Sequence, residues 1–295
     1  MGAGLPTAGQ MFALAERISG LPITALAASG PLERLTATDI AQLAVVAHSV
    51  AALVELRQQL QLEFAAVAGH SVGEYAAYVA ADALDSETAL RLVHVRAQAM
   101  AAACQAVDGA MAAVIGLDET ALREACAAAS RDGSSVELAN LNSPGQLIVS
   151  GARDAIERLS GMARGLGARR VLPLTVGGPF HSVYMRPAAE PLRQALAKVE
   201  LQPARVPVVA NASAQPIQDP QDLRHELAVQ VYSPVLWTES LRQLAAMGCD
   251  RFLEVGPGSV LAGLVKRTLP EATVASFGSL AELEAARTLT SLQDR

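Results

Sequence analysis

The feature that most restricts the possible folds is a five-residue segment, Gly69-His70-Ser71-Val72-Gly73, which lies between an apolar run and a helical pattern. The apolar run, residues 64–68, is typical of a buried strand, and residues 73–81 have the spacing of a helix. A serine in a G-x-S-x-G sequence at such a turn exposes its hydroxyl, and the glycines allow the tight bend. The segment predicts an α/β protein in which Ser71 is a candidate nucleophile.

The backbone amide after this serine is a candidate oxyanion donor. In a strand-to-helix turn, the N–H of Val72 and the first turn of the helix face the oxygen that becomes negative when the hydroxyl attacks a carbonyl carbon. An ordinary glycine-containing turn is the alternative, because the five-residue pattern alone occurs by chance in many proteins. The flanking strand and helix favour the catalytic interpretation.

Strand and helix patterns alternate along most of the chain, with later strands predicted at residues 206–210 and 251–255, which favours a mainly parallel sheet. One segment departs from this order. Its patterns follow the sequence βαββαβ, with elements predicted at residues 110–116, 119–129, 136–141, 146–150, 152–166 and 170–175. This is the order of a ferredoxin-like module. We therefore predict a small subdomain at residues 109–175, inserted into a larger α/β domain formed by residues 1–108 and 176–295.

Composition excludes several classes of protein. The formal net charge of −6 argues against a general nucleic-acid binder, which usually carries a basic surplus. Residues 41–56 are apolar but too short and too polar to span a membrane, so they predict a buried helix. Cys104, Cys126 and Cys249 have no metal-ligand spacing, and they predict reduced thiols in a cytoplasmic protein.

A serine nucleophile needs a base within hydrogen-bond reach. His181 lies in an irregular segment directly after the predicted strand at residues 170–175, a position that suits a general base; a structural histidine that caps a helix is the alternative. His70 adjoins the nucleophile but is expected to point elsewhere. Packing or surface roles are expected for the remaining histidines: His48, His94 and His225.

Several motifs resemble those of a known family. Residues Gly69 to Tyr75 resemble the GHSxGE motif of malonyl-CoA:acyl carrier protein transacylases. Six further segments resemble signatures of that family in the same order: residues 93–100 around Arg96, 109–114, 140–146, 179–182 around His181, 234–237 and 254–258. The resemblance implies an α/β-hydrolase-like large domain with a mainly parallel sheet and an inserted ferredoxin-like subdomain.

The resemblance also implies roles for three residues. Ser71 would carry the acyl group, and His181 would act as general base and acid, oriented by a backbone carbonyl instead of an aspartate. Arg96 would bind the free carboxylate of the malonyl group through its planar guanidinium. A helix-surface ion pair is the alternative for Arg96.

Further residues receive supporting roles. Phe180 would favour malonyl over methylmalonyl groups, and His70, Asn140 and Asn142 would support the site. Carrier docking is expected at Arg169 and Arg170, with solvated surface charge as the alternative; Arg164, Lys266 and Arg267 are further basic candidates.

The activity implied is ping-pong transfer of a malonyl group from malonyl-CoA to the phosphopantetheine thiol of an acyl carrier protein. It implies no metal and no other cofactor, no nucleic-acid or membrane partner, and a monomer. A serine hydrolase of the same fold and a non-catalytic carrier-binding protein are the competing hypotheses. The pathway stays open among fatty-acid synthesis, polyketide supply and malonate decarboxylation.

One departure from the family concerns the start of the chain. Members of the family begin with an apolar strand and a GQGSQ-like loop whose glutamine contributes to the oxyanion hole, whereas this chain starts Met1-Gly2-Ala3-Gly4-Leu5. Loss of one oxyanion donor typically costs about 10²–10³ in rate. The sequence therefore predicts reduced turnover and stability for the chain as given.

Overall fold

The computed structural model describes residues 4–60, 62–131 and 133–291, so the start Met1-Gly2-Ala3 lies outside the described residues. In these ranges the helices are α1 (Ala8–Ser19), α2 (Ile23–Ser29), α3 (Leu32–Leu35), α4 (Thr38–Gln59), α5 (Gly73–Ala80), α6 (Ser86–Cys104), α7 (Glu119–Ala129), α8 (Arg153–Gly165), α9 (Arg186–Leu196), α10 (Pro220–Val229), α11 (Trp237–Ala246), α12 (Val260–Thr268) and α13 (Leu283–Ser291). The strands are β1 (Val67–Ala68), β2 (Gly109–Ile115), β3 (Val136–Ser143), β4 (Gln146–Ala152), β5 (Arg170–Pro173), β6 (Val208–Val209), β7 (Pro216–Ile217), β8 (Arg251–Val255) and β9 (Thr273–Phe277).

The predicted ferredoxin-like arrangement is present. Strands β2 to β5 form one antiparallel sheet in the order β3-β4-β2-β5, with α7 and α8 packed on one face. That face is apolar because alternate residues of each strand, such as Val114 and Val149, point toward Leu122 and Leu159 of the helices. The other face forms a separate apolar cluster with Phe180, which brings the sheet against the segment that precedes His181.

The rest of the chain forms a larger α/β unit, which confirms the predicted fold class. Strand β1 pairs in parallel with β6, β8 pairs in parallel with β9, and β7 adds an antiparallel edge to β6. Helix α4 is long and apolar enough to cross a membrane, but 78% of its most apolar window is buried inside the protein. This burial agrees with the prediction of a core helix for residues 41–56.

Two predicted strands are shorter than expected. The strand predicted at residues 64–68 is limited to Val67–Ala68, and the strand predicted at residues 206–210 is limited to Val208–Val209. Both prediction errors have one cause, because these two strands pair with each other over only two residue pairs. A cavity of about 630 Å³ is lined by residues of both β1 and β8, including Ala68 and Leu253.

The turn from β1 into α5 depends on a close backbone approach. Ser71 has φ +51, a left-handed conformation that costs a non-glycine residue about 1–3 kcal/mol. A Cβ at Gly69 would lie 2.1 Å from the carbonyl oxygen of Gly73, whereas a Cβ at Gly73 would meet nothing within 4 Å. The first glycine of the motif is therefore required by sterics, and the second is not.

This difference predicts opposite effects for two alanine substitutions. Gly69→Ala forces a backbone shift and is expected to lower the free energy of unfolding by about 1–3 kcal/mol, the usual cost of overpacking. Gly73→Ala, in the first turn of α5, is expected to be neutral or to stabilise by up to about 1 kcal/mol. Urea unfolding of both variants checks this, and a Gly69→Ala protein as stable as the unsubstituted one would contradict it.

Candidate active site

Ser71 lies at the carboxyl end of β1, directly before α5, and its hydroxyl contacts two buried side chains. The Oγ atom is 2.7 Å from Nε2 of His181 and 3.1 Å from Nη2 of Arg96. The three residues come from positions far apart in the chain, since His181 follows β5 and Arg96 lies in the middle of α6. The fold therefore gathers the three residues that the sequence singled out.

The contacts of His181 fix which ring nitrogen carries the proton. Nδ1 is 3.0 Å from the carbonyl oxygen of Gln230 and 3.1 Å from that of Ser233. Carbonyl oxygens only accept, so Nδ1 donates to them and Nε2 is left as the acceptor for the Ser71 hydroxyl. None of the hydrogen bonds found in the described ranges joins His181 to a carboxylate.

The imidazole is held in its neutral form. Burial, followed by the nearby Arg96 cation, lowers the pKa of His181 to about 3. Its backbone has φ +55, so this residue, like Ser71, is held in a left-handed conformation. A neutral imidazole with a free Nε2 lone pair next to a serine hydroxyl is the arrangement that general-base catalysis needs.

Arg96 is a buried cation whose partners are neutral. It is 1% exposed, and its guanidinium donates to the amide oxygens of Gln42 and Gln230, the latter at 3.0 Å, while Nε has no partner. The ion pairs found in the described part of the chain do not include Arg96. A buried charge without a counter-ion is costly, so this position is prepared for an anionic ligand beside Ser71.

A second layer of polar residues holds the turn. Asn211 accepts from the backbone N–H of Ser71 at 2.7 Å and donates to the carbonyl of Gly69 at 2.7 Å. Gln230 donates to the carbonyl of Ser71 at 2.8 Å and to Glu74 at 2.6 Å. Burial, followed by the neighbouring Glu226 carboxylate, raises the pKa of Glu74.

These second-layer residues differ in how visible they were in the sequence. Asn211 comes two residues after the apolar strand β6, and a polar residue at the carboxyl end of a parallel strand is a recognisable signal. Gln230 lies in a 3-10 turn after α10 and carries no comparable signal.

The backbone N–H of Val72 is the oxyanion donor that the sequence predicts. It lies one residue after Ser71 at the start of α5, and no hydrogen bond from it to another described residue is found. A free N–H at a helix N-terminus is suited to bind a developing oxyanion.

Three residues were predicted to support the site: His70, Asn140 and Asn142. His70 hydrogen-bonds Asn142 at 2.8 Å and packs edge-on against Trp237, and burial lowers its pKa. Asn140 is buried in β3 with its backbone bridged to Val235, and its side chain makes none of the hydrogen bonds found to Ser71, His181 or Arg96.

The remaining predicted residues lie around the site or on the surface. Phe180, next to His181, packs between the core of the large unit and the open face of the small sheet. Arg169 and Arg170 are exposed at the start of the edge strand β5 and take part in none of the ion pairs found in the described ranges. Among the described residues, no cluster of three or more histidine, cysteine or acidic side chains could hold a metal ion.

The arrangement supports acyl transfer through a serine ester. It contains a hydroxyl, a base that accepts its proton, a free backbone N–H for an oxyanion and a cation for an acidic substituent on the acyl group. The cysteines are not candidates for this chemistry, since burial raises the pKa of the Cys104 thiol to about 11 and that of Cys126 to about 12.

Comparison with known sequences identifies the family. Residues 12–292 match the acyl transferase domain. The chain is 41% identical over 264 residues to a malonyl CoA-acyl carrier protein transacylase of Bacillus subtilis (strain 168), covering 89% of this chain and 83% of that protein. It is 39% identical over 286 residues to the protein of the same name from Escherichia coli (strain K12), covering 97% of this chain and 92% of the relative.

Solved structures agree with the sequence matches. An acyl carrier protein S-malonyltransferase from Vibrio cholerae superposes with a TM-score of 0.89 at 41% identity, covering 95% of this chain and 91% of the other. A malonyl transacylase solved in complex with a type II polyketide synthase acyl carrier protein gives a TM-score of 0.91 at 37% identity, with the same coverage. The resemblance drawn from the motifs is confirmed, and the chain belongs to the malonyl-CoA:acyl carrier protein transacylase family of acyl transferases.

Proposed function

We propose that this protein transfers a malonyl group from malonyl-CoA to the phosphopantetheine thiol of an acyl carrier protein. The observation that carries the proposal is Arg96, a buried guanidinium without a counter-ion whose Nη2 lies 3.1 Å from the nucleophilic oxygen. A malonyl thioester presents a carboxylate two bonds beyond its reactive carbonyl carbon, so one acyl group can contact both Ser71 and Arg96. The names of the relatives from Bacillus subtilis and Escherichia coli describe the same transfer.

Acylation begins at the hydroxyl of Ser71. Nε2 of His181 accepts its proton while Oγ attacks the thioester carbonyl, and the Val72 N–H stabilises the oxyanion that forms. The proton then passes from His181 to the CoA thiolate as the C–S bond breaks. The charge on the imidazolium is stabilised by the two carbonyl oxygens that accept from Nδ1.

The second half-reaction runs through the same groups in reverse. The carrier thiol gives its proton to His181, attacks the ester carbonyl and releases Ser71 as its hydroxyl. Arg96 holds the malonyl carboxylate through both steps, which keeps the acyl group oriented. A hydrolase acting on uncharged acyl chains would have no use for a buried guanidinium at this position.

The proposal extends to the features around the site. Residues 1–108 and 176–295 would form the catalytic domain, and residues 109–175 a subdomain that covers one side of the site through Phe180. The ring of Phe180 would restrict the space beside the malonyl C2 carbon, a difference worth about 1–3 kcal/mol against a methyl group. The free cysteines agree with a cytoplasmic location, and the proposed chemistry uses no metal or redox group.

The direct test is the mass of the protein after exposure to malonyl-CoA. We expect an added malonyl group that is absent in Ser71→Ala, and we expect holo-carrier to remove it faster than water does.

Arg96→Ala should lower kcat/KM for malonyl-CoA by about 10²–10³, because a buried charge pair with the substrate is lost, while acetyl-CoA is affected less. The kcat/KM of Arg96→Lys for malonyl-CoA should lie between the values of the unsubstituted protein and Arg96→Ala, since lysine cannot pair bidentately.

Three results would contradict the proposed function. No adduct at Ser71 in the folded protein would remove the proposed transfer, and discharge by water as fast as by carrier would replace it with hydrolysis. Equal losses for malonyl-CoA and acetyl-CoA in Arg96→Ala would remove the role given to the guanidinium.

The environment of His181 predicts an unusual pH dependence. Only the neutral imidazole accepts a proton from Ser71, and the pKa of His181 in the folded protein is lowered to about 3. The rate of Ser71 labelling by a fluorophosphonate should therefore fall only as the pH approaches that value. We expect no inflection near pH 6.5, the ordinary histidine pKa. Labelling that halves near pH 6.5, with circular dichroism showing intact folding, would contradict this account.

The carrier surface is proposed at the edge strand β5. Arg169 and Arg170 are exposed there beside Leu172, which is 46% exposed, so the edge offers positive charge and apolar area to an acidic carrier. The double variant Arg169→Glu/Arg170→Glu is expected to raise the carrier KM about tenfold and to leave Ser71 acylation unchanged.

The matched control for this surface is Arg123→Glu/Arg131→Glu, which makes the same charge change at exposed positions of the same sheet-and-helix unit. The control should have a normal carrier KM. Equal effects of both double variants would show that only the overall charge matters, and an unchanged KM in the first would remove the docking assignment.

A further inference from the structure

Glu74 lies one turn after the nucleophile and is fully buried. Both of its carboxylate oxygens are occupied by donors from distant parts of the chain. Oε1 accepts from the backbone N–H of Asn211 at 2.9 Å and from its Nδ2 at 3.2 Å. Oε2 accepts from Nε2 of Gln230 at 2.6 Å. The acyl transfer described above assigns no role to this carboxylate.

The two amide side chains held by Glu74 are the ones that hold the reacting groups. Asn211 contacts the N–H of Ser71 and the carbonyl of Gly69, and so fixes the backbone on both sides of His70. Gln230 contacts the carbonyl of Ser71 and Nη2 of Arg96 through its side chain. Its own backbone carbonyl accepts from Nδ1 of His181.

The physical role of Glu74 follows from the symmetry of an amide. The terminal torsions of asparagine and glutamine are broad, and the oxygen and NH₂ ends occupy similar volumes, so packing alone does not decide which end faces which neighbour. Glu74 accepts in each of the three hydrogen bonds found for its side chain, so in this arrangement both amides turn their NH₂ groups toward it. The oxygen of Asn211 then faces the Ser71 N–H, and the oxygen of Gln230 faces Arg96.

The opposite orientation would be unfavourable at both places. A reversed Asn211 would set its NH₂ group against the Ser71 N–H, and a reversed Gln230 would set one against the guanidinium of Arg96. Ser71 is also held at φ +51, a conformation that persists only where surrounding contacts enforce it. The contact from Asn211 to the Ser71 N–H is one of those contacts.

We propose that Glu74 is a positioning residue for acyl transfer: together with the carbonyls of Gly69 and Ser71, its carboxyl group sets the orientation of Asn211 and Gln230, which in turn hold Ser71, His181 and Arg96 in reacting geometry. The inference rests on the proposed function only in taking Ser71 as the nucleophile. Glu74 is the acidic residue of the GHSxGE-like segment, and the proposal gives it a function that the motif alone does not explain.

The test compares Ser71 labelling by a fluorophosphonate in the full-length protein and its variants. Glu74→Gln keeps the size but introduces an NH₂ group, which forces one partner amide to reverse. We expect labelling about 10–100-fold slower at a temperature where the protein is folded, because displacements of about 1 Å have costs of this size. Glu74→Asp keeps an acceptor-only group with a shorter reach and should label at an intermediate rate.

Glu55→Gln is the matched control. Glu55 is another buried glutamate, 3% exposed on α4, and its hydrogen bond is to Gln59 on the same helix. This variant should label at the unsubstituted rate even if its thermal midpoint falls, which separates positioning from general stability.

Each result decides the question. Labelling at the unsubstituted rate in Glu74→Gln, or in Glu74→Asp if the first variant does not fold, would overturn the proposal, and malonyl transfer by the unsubstituted protein would then leave the proposed function intact. Failure of the unsubstituted protein to label at Ser71 would remove the nucleophile and with it both proposals. Slow labelling in folded Glu74 variants with a normal Glu55→Gln control is the predicted result.

Discussion

The arrangement depends on one buried cation. Arg96 is surrounded by neutral amide oxygens and a serine hydroxyl, with Nε unpartnered, and Glu74 acts on its charge from beyond Gln230 without a direct ion pair. Its charge acts on both neighbours, because it lowers the pKa of His181 and lies beside the oxygen that attacks the substrate. A ligand carboxylate would provide the missing counter-charge at the position where the acyl group reacts. Substrate choice and chemistry therefore depend on the same interaction.

The polar network around this cation holds the turn that carries Ser71. Ser71 and His181 both have positive φ, and both are held by contacts that run through Gln230. Glu74 anchors that residue from the helix that follows the nucleophile. One short stretch, from Gly69 to Glu74, thus contains the proposed nucleophile, the proposed oxyanion donor and the proposed anchor of the network. This clustering gives a physical reason for the length of the motif.

The sequence predicted the fold class and the elements with strong local patterns, such as α7 at residues 119–129 and the strand at residues 251–255. It failed where pairing instead of pattern sets the limits, as in β1, which begins three residues later than predicted and pairs with β6 over only two residue pairs. Ser71, His181 and Arg96 were predictable because each lies in a distinctive motif. Gln230 was not, because its role comes from three contacts to distant residues and not from any local signal.

The central claim is that Arg96 binds the carboxylate of an acyl group attached to Ser71. A crystal structure of the malonylated protein tests it most directly. The account predicts continuous density from Ser71 Oγ to a malonyl group whose carboxylate oxygens lie about 2.7–2.9 Å from the guanidinium nitrogens of Arg96. A malonyl group on Ser71 whose carboxylate points to solvent or to another cation would contradict it.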